Sequence, residues 1–163
     1  MAASHDVTVV WHRDGDFLAG RYSRAHEWHF DGGLTVPGSA SPSVVRAPYS
    51  REDAVDPEEA FVAAISSCHM LWFLDLAKHA GFLVEAYQDD AKGVMGRQAA
   101  GRYWLERVTL SPRIVFAGDA PDEAAMAALH HEAHERCFIA NSVKTEIVVE
   151  PRIVASLTET GQA

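Results

Sequence analysis

The stretch from Asp56 to Gly81 constrains the fold more than any other part of the chain. Asp56 is a good helix N-cap, Pro57 suits the first helical position, and Glu59 completes a capping-box arrangement. Lys78 and His79 stand in the last turn, and Gly81 fits the left-handed position beyond it. The sequence therefore predicts a helix from Pro57 to about Ala80. Its side chains are apolar nearly all round, through Phe61, Val62, Ile65, Met70, Leu71, Trp72, Phe73, Leu74 and Leu76. Such a helix is buried on most faces. A chain of 163 residues can hardly cover it alone, so dimerisation through the helix is the natural expectation.

The segments around it read as strands. Val7–Trp11 is rich in β-branched and aromatic residues, Arg13–Asp16 signals a turn, and Phe17–Tyr22 is expected to return as the second arm of a hairpin. Glu27–Phe30 and Leu34–Val36 are further candidates, and Pro37–Ala54 reads as a loop. Beyond the helix, Leu83–Tyr87, Lys92–Met95 and Tyr103–Phe116 carry strand-forming residues, with Ser111-Pro112 marking a bulge or edge. A second helix is expected from Pro121 to Cys137, capped near Asp119, then a last strand from Val143 to Val154 and a frayed tail at Glu159–Ala163. No repeat or linker interrupts residues 1–163, so the reading is a single α+β domain.

Composition narrows the class. About half of the residues are apolar (48%), enough for an ordinary core. The formal charge of -9, from 23 acidic and 14 basic residues, disfavours nucleic acid and anionic membrane surfaces as partners. The N-terminus lacks a basic region followed by an apolar one. No apolar run is expected to reach the ~18 residues that span a bilayer. A reducing cytoplasmic compartment and no membrane partner are therefore expected, and no cofactor is called for.

Cys68 and Cys137 lie 69 positions apart. In a reducing cytosol a permanent structural disulfide is not favoured, and two thiols are more often inert core residues than functional ones. Cys68, however, lies inside the apolar helix among Ser66, Ser67 and His69. One explanation of this polar island is that the hydroxyls bond back to the helix and His69 points outward. The other is that Cys68 is reactive. A carboxylate such as Glu58 would by itself oppose thiolate formation, so a reactive Cys68 also needs a cation, and Arg24 and Arg46 come from segments able to supply one.

The segment Asp56-Pro57-Glu58-Glu59-Ala60-Phe61-Val62-Ala63-Ala64-Ile65-Ser66-Ser67-Cys68-His69-Met70 resembles the first signature of the OsmC/Ohr family, the osmotically inducible and organic hydroperoxide resistance proteins. Ala133-His134-Glu135-Arg136-Cys137-Phe138-Ile139-Ala140-Asn141-Ser142-Val143-Lys144 resembles the second. The resemblance covers roughly Phe17 to Pro151. It implies an OsmC-like fold, an intertwined homodimer and two sites at the subunit interface. It implies Cys68 as peroxidatic thiol, Cys137 as resolving thiol and Glu58 as the carboxylate ten positions before Cys68. Arg24 matches the arginine of the hydroperoxide-resistance branch, while Arg46 fits the osmotically induced branch about as well by spacing.

On this reading the protein is a peroxidase that reduces organic hydroperoxides through a Cys68 sulfenic acid and a Cys68–Cys137 disulfide. An external dithiol, a lipoyl-type protein in one branch, regenerates it. Phe61, Met70, Trp72 and Phe138 are candidate apolar walls for the substrate. Rival readings are weaker. His130, His134 and Cys137 share a helix face and could hold a metal, but a solvated polar face is the plainer account. His69 beside Cys68 suggests a Cys–His hydrolase, yet adjacent helix residues point about 100° apart. An OsmC-fold binding protein without turnover is the remaining alternative.

Overall fold

The computed structural model describes residues 3–99 and 101–157. The tail Glu159–Ala163, expected to fray, lies outside them. The chain forms two compact units, residues 1–60 and 61–163.

The first unit holds β1 (Val7–Val10), β2 (Gly15–Asp16), β3 (Arg21–Tyr22), β4 (His26–Phe30) and β5 (Thr35–Gly38). β4 is the middle strand of an antiparallel β1-β4-β5 sheet, with Val9 opposite Trp28 and Trp28 opposite Val36. The expected hairpin is thus corrected, because β1 pairs with β4 and not with Phe17–Tyr22. Local chemistry closes residues 15–22 on themselves. Asp16 pairs with Arg21 at 2.8 Å, the Phe17 and Tyr22 rings meet at 4.7 Å between centroids, and Trp11 packs against them at 5.8 and 5.7 Å. Pro37 and Gly38, expected in a loop, belong to β5. Pro37 is tolerated there because β5 is an edge strand.

α1 (Pro57–His79) begins at the end of this unit. Its capping box forms as the sequence predicts: Glu59 N–H donates to Asp56 Oδ1 at 2.8 Å and Asp56 N–H to Glu59 Oε2 at 3.1 Å. A cap of this kind stabilises a helix by about 1 kcal/mol. At the other end Gly81 takes a φ of 83°, and the Gly81 and Phe82 amides return to Lys78 and Ala77.

The second unit holds the rest of α1, then β6 (Leu83–Asp89), β7 (Lys92–Arg97), β8 (Tyr103–Leu110), β9 (Pro112–Ala117), α2 (Glu123–Arg136), β10 (Glu146–Val149) and β11 (Arg152–Ile153). The α+β order matches the expectation. The long strand expected over Tyr103–Phe116 divides at Ser111, where Pro112 has no N–H to continue a ladder. β8 becomes the middle of a β10-β8-β7 sheet and β9 the middle of a β11-β9-β6 sheet. The expected last strand divides in the same way before Pro151, and its halves run parallel to β8 and β9. α2 starts later than expected. Its N-cap is Asp122, which accepts the Ala125 N–H at 2.8 Å, and not Asp119.

One stripe of α1, formed by Ile65, His69, Phe73 and Ala77, is buried. Its lower half joins Ile114, Met126 and Ala133 in one core cluster, and Ile65 joins Val108 and Leu110 in another. The opposite face is open in the single chain, with Leu71 63% exposed. An 18-residue window of α1 has a mean hydropathy of 1.6, so the helix is long and apolar enough to cross a membrane by those measures. This corrects the expectation that no run would reach that length. Core helices meet the same criterion, and the buried stripe of α1 lies against the sheets and α2.

Candidate active site

Each member of the polar island on α1 has a separate task. Ser66 donates its hydroxyl to Asp89 Oδ2 on β6. Ser67 returns its hydroxyl to the Ala64 carbonyl at 3.3 Å, the back-bonding expected for a helical serine. His69 is 1% exposed and points into the core, which corrects the expectation that it faces outward. Cys68 is half-buried and lines a cavity of about 570 Å³.

That cavity is a cleft between α1 and the segment after α2. Ala64, Leu71, Trp72, Phe138 and Ile139 make it apolar, with Ser67 beside Cys68 and Asp75 two turns further along the helix. The Trp72 and Phe138 rings meet edge to face at 5.6 Å, and the Arg136 guanidinium lies 5.8 Å from the Trp72 ring centre. Of the four expected walls, Trp72 and Phe138 line the cavity. Phe61 packs instead against the Ile65 cluster, and Met70 is not among the lining residues.

Cys137 is fully buried and forms the C-cap of α2. Its Sγ accepts the Ala140 N–H at 3.4 Å, at the start of the short 3-10 turn Ala140–Ser142. Burial pushes its thiol up to about 11, and the influence of the Cys68 thiol adds to the rise. Phe138 and Ile139, directly after Cys137, line the same cleft as Cys68, so the fold brings together two thiols 69 positions apart in sequence, and both are free.

The other expected residues stand as follows. Glu58 is half-buried in the first turn of α1, with no ion pair among the described residues. Arg24 lines a second cavity, of about 390 Å³, with Trp11, Phe17, Tyr22 and His26. Its guanidinium lies 3.7 Å from the Tyr22 ring centre and donates to the Gly20 and Tyr22 carbonyls. Arg24 and Glu58 form no ion pair with each other. Arg46 is exposed on the loop.

His130 overturns both readings of the α2 face. It is 4% exposed, so the face is not solvated there, and its Nδ1 lies 2.9 Å from His69 Nε2. Among the described residues no group of three His, Cys, Asp or Glu side chains could hold a metal. The one sequence signal for His69 was its spacing, four residues from both Ile65 and Phe73 in the buried stripe.

The fold and site together define a small α+β protein with a thiol on a central helix and a second thiol capping the next. The chain belongs to the OsmC-like family: the sequence profile described as OsmC-like protein matches residues 50–152. A solved OsmC-like protein of unknown function from Vibrio cholerae O1 biovar eltor is 49% identical, covers 93% of this chain and 100% of that one, and has a TM-score of 0.89. Two organic hydroperoxide resistance proteins share the fold. That of Elizabethkingia anophelis is 21% identical, covering 96% and 99% of the chains with a TM-score of 0.67. That of Bacillus subtilis is 16% identical, covering 93% and 98% with a TM-score of 0.60. No curated protein matches the sequence.

Proposed function

We propose that the protein is a two-cysteine thiol peroxidase acting on organic hydroperoxides. The observation that carries this reading is that Cys68 lines the same apolar cleft as Phe138 and Ile139, the two residues directly after the buried Cys137. The Cys68 thiolate attacks the outer peroxide oxygen, the O–O bond breaks, and the alkoxide leaves and takes a proton to become the alcohol. Cys68 is then a sulfenic acid. Cys137 attacks its sulfur, giving the disulfide and water, and an external dithiol returns both thiols while being oxidised to its own disulfide.

The apolar walls favour bulky organic peroxides over hydrogen peroxide. A cation that stabilises the thiolate and a carboxylate that orients it are the roles that the family resemblance implies for Arg24 and Glu58. The open apolar face of α1 is assigned to a second copy of the chain. Light scattering is expected to give twice the 17.8 kDa chain mass.

The test is consumption of cumene hydroperoxide with dithiothreitol as reductant. Wild type is expected to turn over and Cys68→Ser to be inactive. Equal rates for the two proteins overturn the reading.

A further inference from the structure

The His69–His130 pair is not explained by stability. The two rings are 3° from parallel with centroids 5.2 Å apart and a nitrogen–nitrogen distance of 2.9 Å, so they lie edge to edge with the bond in both ring planes. Phe73, one turn beyond His69, stacks on the His130 ring at 4.3 Å and fixes its plane. The outer atoms, His69 Nδ1 and His130 Nε2, are buried and meet no protein hydrogen-bond partner among the described residues. Whichever ring donates, one buried N–H and one bare nitrogen have no protein partner among the described residues. Each such group costs at least what a single neutral hydrogen bond returns, so two apolar side chains would hold the core as well or better.

The placement of the pair is informative. His69 follows Cys68 on α1. His130 lies seven residues before Cys137, about two turns and so on the same face of α2. Apolar contacts such as Phe73 with Met126 and Ala133 allow a helix to slide or roll slightly. A hydrogen bond between two rigid planar rings does not. We infer that the His69–His130 bond is a positioning device that fixes the roll and height of α2 against α1, so that Cys137 is delivered to Cys68. The inference rests on reading Cys68 and Cys137 as a working thiol pair. His69 and His130 are positioning residues in it and contact no substrate.

The pair therefore sets the tendency of the two thiols to join. That is measurable without peroxide, by equilibration with glutathione. Two protein thiols and one glutathione disulfide give the Cys68–Cys137 disulfide and two glutathione thiols, with both electrons and both protons passing to glutathione. The double variant His69→Leu/His130→Leu removes the bond without leaving an orphaned histidine. Its exchange constant is expected to fall at least fivefold, about 20 mV, while its urea midpoint stays at or above that of wild type. His130→Asn, whose amide stands where Nδ1 stood and can still bond His69 Nε2, is expected to stay within twofold of wild type.

An exchange constant reduced by less than fivefold overturns the inference. So does a double variant that loses stability or fails to fold, since the pair would then be an ordinary core element. The peroxidase reading fails separately, if wild type consumes no organic peroxide. A fivefold exchange effect in a protein without turnover leaves the positioning role intact.

Discussion

Ser66 donates its hydroxyl to one oxygen of Asp89, whose other oxygen accepts the Ser111 N–H at 2.6 Å. One carboxylate thus ties the helix turn that carries Cys68 to the point where β8 gives way to β9. Ser66→Ala leaves a half-buried carboxylate oxygen unmet and is expected to cost about 1–3 kcal/mol. Urea denaturation at pH 7 measures it, and a change within 0.5 kcal/mol, as for an ordinary surface substitution, contradicts the assignment. Burial raises the Asp89 carboxyl above the ordinary carboxylate range, against the lowering effect of its two hydrogen bonds. The folded state then keeps that proton to a higher pH than the unfolded chain does. The stability it adds is present at low pH and is lost as pH rises through the folded value. Relative to Asp89→Asn, wild type is expected to be more stable at pH 4 than at pH 7.

The Cys137 thiol, held up to about 11 by burial and by Cys68, is expected to resist alkylation. Iodoacetamide at pH 8 should label Cys68 and leave Cys137 free, with labelling of Cys137 rising steeply toward pH 11. Peptide mass mapping measures both sites. Comparable labelling of the two at pH 8 contradicts the burial argument.

The histidine pair makes the fold acid-sensitive. Burial holds His69 down to about 4, with His134 adding to it, and His130 down to about 3, with His69 adding to it. Histidine in an unfolded chain titrates near 6.5, so between about 4 and 6.5 the unfolded state binds more protons. Stability is fully present above pH 6.5 and is lost as pH falls. For His69 alone the loss between pH 7 and 4.5 is about 2 kcal/mol. Unfolding free energies at the two pH values should show a fall that the double leucine variant lacks. An equal fall in both proteins contradicts the assignment.

Gly93 on β7 is held close to its neighbours. A Cβ there would come within 2.7 Å of Val62 and 2.9 Å of Leu105. Gly93→Ala is expected to cost about 1–3 kcal/mol by overpacking, read as a lower melting temperature. Val62→Ala in the same chain should recover part of it.

What the sequence disclosed divides by distance along the chain. α1 was legible from cap to glycine because Asp56, Glu59 and Gly81 act within a turn of the helix ends. The Ser111-Pro112 break was legible as an irregularity, since proline lacks the N–H a ladder needs. That its halves join different sheets depends on β6, β7, β10 and β11 and was not legible. The hairpin assigned to β1 failed for the same reason, because its partner lies beyond a self-closed segment. Cys68 and Cys137 were found through their flanking residues. The His69–His130 bond joins positions 61 apart through a side chain equally at home in water. Only the buried stripe hinted at His69, and nothing local marked His130.

The parallel addition of β10 to β8 and of β11 to β9 has a consequence for biosynthesis. Both sheets of the second unit receive an edge strand from residues 146–153. A nascent chain that has released both cysteines still presents β8 and β9 each with an unpaired side. The thiol pair is thus translated before the sheets around it can close, and completion of the unit waits on the last strands to leave the ribosome.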